Sequence, residues 1–182
     1  MDAAAVIAAL TPLVPGATFD ADTSVDVPTI YVPAPHLVPT CRALHDTPSL
    51  AFDFLADVIG VDYLPRDPRF EIVYHLVSIA NRIRLRLKVR VPSGGGVPSV
   101  HRVWPAAGWH EREVWDMFGI FIENHPDLRR ILMPDEWEGH PQRKDYPVQI
   151  RKTPQTYEPL EVTEEEFRQN LERDRARRVQ PQ

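Results

Sequence analysis

The densest group of side chains able to do acid–base, metal or ion-pair chemistry is His110, Glu111, Arg112, Glu113 and Asp116. At 3.6 residues per turn, Glu111 shares a helix face with Val114, Trp115 and Phe118, while Arg112 and Asp116 stand four apart and can pair. Glu111 is therefore a candidate buried carboxylate. Burial would raise its pKa unless a cation such as Arg129 or Arg130 answers it. A structural ion pair or hydrogen-bond anchor accounts for this pattern better than a catalytic acid or base. His110, Glu113, His125, Asp127 and His140 lie close enough in sequence to suggest zinc. The helix lacks HExxH, however, because residue 114 is Val, and no second ligand stands four residues from His110. Cys41 has His36 and His45 nearby but nothing that marks an oxyanion hole, and it reads as a small buried hydrophobe. Residues 92–99, PSGGGVPS, lack GxGxxG and precede no long helix directly, so they read as a flexible surface loop and not a phosphate cradle.

The elements that must position these residues are short. Nineteen prolines against eight glycines in 182 residues predict brief elements joined by stiff connections. Hydrophobic content of 43% with 26% charged residues is that of a globular protein with one sizeable core. One cysteine excludes an internal disulfide, and it excludes an iron–sulfur cluster held by this chain alone, which needs about four ligands, mostly thiolates. No stretch approaches the roughly 18–20 apolar residues of a membrane span, and residues 1–10 carry Asp2 with no basic segment, so they read as a short helix and not a signal peptide. The charge is uneven: residues 1–81 hold three Lys/Arg against ten Asp/Glu, and residues 82–182 hold eighteen against sixteen.

Residues 25–32 read as a strand that Pro28 confines to an edge or a bulge. Residues 36–45 read as a helix starting near Pro39, and residues 50–60 as strand in their first half. Residues 69–79 and 81–91 form the clearest strands, joined as a hairpin. In the second, Ile83, Leu85, Leu87, Val89 and Val91 face one way, and Arg82, Arg84, Arg86, Lys88 and Arg90 the other. This ladder of cations admits nucleic-acid phosphates, an acidic partner protein, or solvent with acidic neighbours. The pI near 5.8 and the lack of interleaved aromatics disfavour nucleic acid. Residues 100–104 suggest a further strand, and residues 105–118 a helix ended by Gly119. The expected fold class is α+β, a single domain over residues 1–125 with helices on a mixed sheet. Residues 126–182 are expected to form an extended tail that needs partners for order, mobile in the free chain over residues 123–147, with a helical pattern over residues 164–178 supported by Glu164/Arg168. Met133, Trp137 and Tyr146, set among turn residues and charges, suit a loop fixed by burying aromatics on another surface.

The run Glu111-Arg112-Glu113-Val114-Trp115-Asp116-Met117-Phe118-Gly119-Ile120, followed by Asn124-His125-Pro126-Asp127-Leu128-Arg129-Arg130-Ile131-Leu132, resembles the signature of the 30-kDa subunit family of proton-pumping NADH:quinone oxidoreductase, respiratory complex I. Glu138-Gly139-His140-Pro141 and Arg143-Lys144-Asp145-Tyr146-Pro147 continue the likeness, which covers roughly residues 50–150 with FLADVIGVDYL and VYHLVS upstream. Trp115 and Met117 stand where Tyr and Leu are common, Gln142 replaces a frequent Leu, and the tail is short.

The resemblance implies a peripheral subunit of the hydrophilic arm, packed against the 49-kDa-type subunit that shapes the quinone site, on the cytoplasmic side of the membrane. It implies no cofactor or metal in this chain, FMN and iron–sulfur clusters on other subunits, and no catalysis by the isolated chain. Glu111, Arg112, Glu113, Asp116, His125, Pro126, Asp127, Arg129, Arg130, Trp137, His140, Arg143, Lys144, Asp145 and Tyr146 are the expected interface and signature residues. Related subunits in membrane-bound hydrogenases and other dehydrogenase complexes leave the electron donor open. A free-standing nucleic-acid-binding module using the basic strand is the alternative from a different class.

Overall fold

The computed structural model describes residues 2–23, 26–147 and 163–179. The chain runs through α1 (Ala3–Leu10), β1 (Asp20–Ala21), β2 (Thr29–Tyr31), a 3₁₀ turn (Ala34–His36), α2 (Leu37–Asp46), β3 (Phe54–Asp62), β4 (Phe70–Ser78), β5 (Ile83–Val91), β6 (Gly96–Pro98), α3 (Ala107–Phe118) and β7 (Phe121–Glu123), with α4 (Glu164–Val179) after the undescribed stretch. The main sheet has the order β1-β2-β5-β4-β3, with β2 parallel to β5 and the other neighbours antiparallel. It is a mixed sheet in an α+β fold. A second, two-stranded sheet pairs β6 with β7 in parallel.

Strict alternation makes β5 a strand with one buried face: Leu85, Leu87, Val89 and Val91 are buried, as are Phe70, Ile72, Tyr74 and Leu76 of β4. Val6 and Leu10 of α1, Leu37, Cys41 and Leu44 of α2, and Val114 and Phe118 of α3 belong to the same core. Asp2 caps α1 by accepting from the Ala5 N–H at 2.8 Å. α3 ends where Gly119 takes φ +68°, a left-handed conformation that a residue with a Cβ adopts at a cost. Gly60 on β3 lets α3 approach, since a Cβ there would sit 2.5 Å from Phe118 Cδ2.

Several expectations need correction. β2 is not an edge, because β1 pairs on its far side. Pro28 precedes it, so the residue without an N–H falls outside the strand, while its carbonyl accepts from the Arg86 N–H at 2.9 Å; Val25 lies outside the described residues. The strand in residues 50–60 starts only at Phe54 and runs on to Asp62. The loop expected at residues 92–99 contains β6, with Val97 fully buried. Residues 100–104 form a turn and not a strand: the N–H groups of Val103 and Trp104 both donate to the Val100 carbonyl, and Trp104 Nε1–H donates to the Phe52 carbonyl at 3.1 Å.

The largest correction concerns the tail. Met1–Pro147 forms one compact unit, so residues 126–147 belong to the body and the division expected after residue 125 falls after residue 147. Residues 148–162 lie outside the described residues. Separately, α4 begins with a capping box in which Thr163 and Glu166 bond reciprocally, and Arg168 stands 3.6 Å from Glu164.

Gly60→Ala is expected to destabilise the protein by about 1–3 kcal/mol through overpacking on the Phe118 ring. Urea denaturation measures it, and adding Phe118→Leu should recover part of the loss.

Candidate functional site

The site grows from the two buried carboxylates of α3, which the sequence places five residues apart. Asp116 has no exposure. Its Oδ2 accepts from three successive backbone N–H groups, Ile131 at 3.1 Å, Leu132 at 2.8 Å and Met133 at 2.9 Å, and its Oδ1 accepts from Arg130 Nη1 at 2.6 Å. Burial alone would raise its pKa, but the N–H of Met133, the Arg130 guanidinium and the N–H groups of Leu132 and Ile131 together hold it below the ordinary carboxylate value. Arg130 also donates to the carbonyls of Trp137 and Gly139. Arg112, buried beside it, donates to the carbonyls of Arg129 and Arg130 at 3.0 and 2.8 Å. The expected Arg112–Asp116 pair is therefore replaced: each side chain turns to the backbone of the loop that follows.

Glu111 is equally buried but differently served. Its Oε2 accepts from Ser99 Oγ at 2.6 Å and its Oε1 from the Val100 N–H at 2.7 Å. Neither Arg129 nor Arg130 answers it. With no guanidinium in place, burial pushes its pKa up to about 7 against the two hydrogen bonds that lower it. His125 Nε2 lies 3.8 Å from its Oε2 but donates to the Gly108 carbonyl at 3.0 Å, while His125 Nδ1 accepts from the Asp127 N–H at 3.1 Å. Cys41 is fully buried, and burial, followed by the Glu111 charge, pushes its thiol far above the ordinary value. It is a core residue, as expected.

Residues 134–147 close over the end of α3. His140 Nδ1 donates to the Asp116 carbonyl at 2.9 Å, and Arg143 donates to the carbonyls of Phe118 and Gly119. These bonds take up carbonyls that the helix end leaves without partners. A side chain at Gly119 would collide with both His140 and Arg143. Farther along, Arg69 makes paired bonds to Asp62 (3.0 and 2.7 Å) and to Asp145 (2.9 and 2.6 Å), and the Lys144 N–H donates to Asp62 at 2.9 Å. Arg69 holds Asp62 well below the usual carboxylate range and lowers Asp145 as well. Tyr146 Oη–H donates to the Glu138 carbonyl at 3.2 Å.

Of the expected residues, Glu111, Arg112, Asp116, His125, Arg130, Trp137, His140, Arg143 and Tyr146 are buried or half-buried in this network. Glu113, Pro126, Asp127, Arg129, Lys144 and Asp145 are exposed. Among the described residues Arg129 pairs only with Asp127, at 2.9 Å. Sequence reasoning missed Asp62, Arg69 and Ser99. Arg69 had one signal: it is one of only three cations in the acidic first 81 residues. The basic ladder is largely answered by acidic neighbours, with Lys88 at 2.9 Å from Asp22 and 3.4 Å from Glu71, and Arg86 at 3.0 Å from Asp26. Arg90 lies over the Tyr31 ring. Among the described residues no group of three or more His, Cys, Asp or Glu comes together to hold a metal.

The charged signature residues of this α+β domain are thus spent largely on fixing the loop that follows β7. The family model for the 30-kDa subunit of respiratory-chain NADH dehydrogenase matches residues 30–152, and the chain belongs to that family. It is 55% identical over 117 residues to the second of the C subunits of NADH-quinone oxidoreductase in Rhizobium meliloti (strain 1021), 64% of each chain. It is 54% identical over 120 residues to the NADH-quinone oxidoreductase C subunit of Roseiflexus sp. (strain RS-1), 65% of this chain and 69% of that one. The matches thus span about two thirds of the length of these curated relatives. The fold is similar to a chain in the structure of the membrane-bound sulfane sulfur reductase, an archaeal respiratory membrane complex, with a TM-score of 0.64, 25% identity, and coverage of 80% of this chain and 85% of that one.

Because the folded pKa of Glu111 lies above its ordinary 4.5, the folded state binds more protons than the unfolded one between pH 4.5 and about 7, and stability falls as pH rises through that window. The carboxyls of Asp116, Asp62 and Asp145, held down by their partners, act below about pH 4 and lose stabilisation as pH falls. Denaturation midpoints from pH 4.5 to 7.5 should show the decline in the parent chain and a flatter profile in Glu111→Gln.

Proposed function

We propose that the chain is a structural subunit of the hydrophilic arm of proton-translocating NADH:quinone oxidoreductase, bracing the 49-kDa-type subunit at the cytoplasmic side of the membrane. Electron transfer from NADH to quinone belongs to the assembly, with FMN and iron–sulfur clusters on other subunits, and the isolated chain does no catalysis. Among the described residues no helix is long and apolar enough to cross a membrane.

The observation that carries this reading is the use made of the buried charges. Asp116, Arg112 and Arg130 bond to loop backbone and to each other, and hold residues 129–133 in one shape that leaves Ile131 and Leu132 exposed by 36% and 56%. A preorganised loop with apolar tips suits docking, because the ordering entropy is settled before a partner arrives. Glu113 on α3 and Arg129 in the loop are both exposed, and the Arg129–Asp127 pair is itself open to solvent, so both can be drawn into an interface.

Glu113→Ala and Arg129→Ala should change the stability of the isolated chain by no more than about 0.5 kcal/mol, because both side chains are exposed. Both should lower the amount of intact complex recovered through a tagged copy while turnover per assembled complex stays unchanged. Normal assembly with lost quinone reduction would reject the scaffold role. Co-purification without a flavin-bearing NADH module would assign the chain to a related complex with another electron donor.

A further inference from the structure

Buried residues of α1, α2 and α3 share one core with the buried face of the main sheet, and the sheet's other side is not uniform. Strand register sets Phe54 beside Val77 beside Arg84, and next to that row Asp57 beside His75 beside Arg86. These rows line an open groove of about 540 Å³. Phe54 is 51% exposed and Ile59, also lining it, 41%. Two large apolar side chains in one groove form a patch and not the scattered exposure usual on protein surfaces.

The cations of β5 divide across this face. Lys88, Arg86 and Arg90 are engaged by Asp22, Glu71, Asp26 and the Tyr31 ring. Arg84, at the apolar end, is exposed and has no carboxylate partner among the described residues. Asp57 is engaged by His110 Nδ1 at 3.2 Å. Burial, then the neighbouring Arg86, holds the pKa of His75 below its ordinary value, so it adds no charge at neutral pH. The groove thus combines apolar side chains with one unanswered positive charge.

We propose that this groove seats a segment of another protein subunit, with an acidic side chain on Arg84 and apolar side chains over Phe54 and Ile59. The proposal rests on reading the chain as a subunit of a larger complex. Nucleic acid fits less well, since most of the ladder is already neutralised and phosphate binding needs several free cations. A second copy fits less well too, because a two-fold contact through the groove sets Arg84 toward its own image.

Thiol labelling of Phe54→Cys and Arg84→Cys, each in the full chain, tests this; the native Cys41 is fully buried and adds little background. Within the complex purified through the tagged chain, maleimide should react roughly tenfold more slowly at both positions than in the isolated chain, as a desolvated interface requires. A photo-crosslinking side chain at position 54 should then attach to a peptide of another subunit that contains Asp or Glu among apolar residues. Arg84→Glu should lower recovery of the complex without moving the thermal midpoint of the isolated chain. Unchanged labelling with the other subunits present would overturn the proposal alone, as would attachment to a second copy or to nucleic acid. Failure to co-purify with any subunit would overturn the subunit reading along with it.

Discussion

The carboxylate of Asp116 lies fully inside the protein and remains charged because it meets three consecutive backbone N–H groups and one guanidinium. A buried carboxylate without those partners would be costly, and three N–H groups in a row without an acceptor would be costly too. Each deficit cancels the other. The chain after β7 must therefore return to the end of α3 in one conformation. Once it does, Arg130 reaches the carbonyls of Trp137 and Gly139, and His140 and Arg143 fall over the helix terminus.

A second anchor fixes the far end of the same stretch. Arg69 lies between Asp62 and Asp145, and ties residues 144 and 145 to the end of β3 and the start of β4. The two anchors differ in exposure: Asp62 is almost fully buried, while Asp145 is half exposed, so solvent weakens the outer arm of the clamp. Between them the loop spends its charge on its own geometry. Its exposed remainder is the apolar pair Ile131 and Leu132.

Much of this fold was legible in the sequence because periodicity reports burial directly. The alternation of residues 81–91 and the helix closed by Gly119 both appear close to where they were expected. Failures came where a contact distant in sequence decided the local structure. Gly96, Val97 and Pro98 form a strand only because β7 lies beside them, and Pro28 does not make β2 an edge because it lies one residue before a strand that β1 and β5 flank. In the site, the four-residue spacing of Arg112 and Asp116 gave reach but not outcome, since backbone groups of residues 129–133 compete for both. The Arg69 clamp joins residues 62, 69 and 145, a span that no local pattern reveals. The family likeness identified the stretch without indicating that residues 126–147 pack on the body.

Buried charge within the chain meets the loop after β7 at residues 130–133, which on this account orders it before any partner binds. Hydrogen exchange of the isolated full chain, resolved at the amides of Ile131, Leu132 and Met133, tests this most directly. Slow exchange is predicted at all three in the parent chain and rapid exchange in Asp116→Asn, with the amides of β4 and β5 still protected. Exchange at unprotected rates in the parent chain would contradict it and return the loop's order to whatever partner binds there.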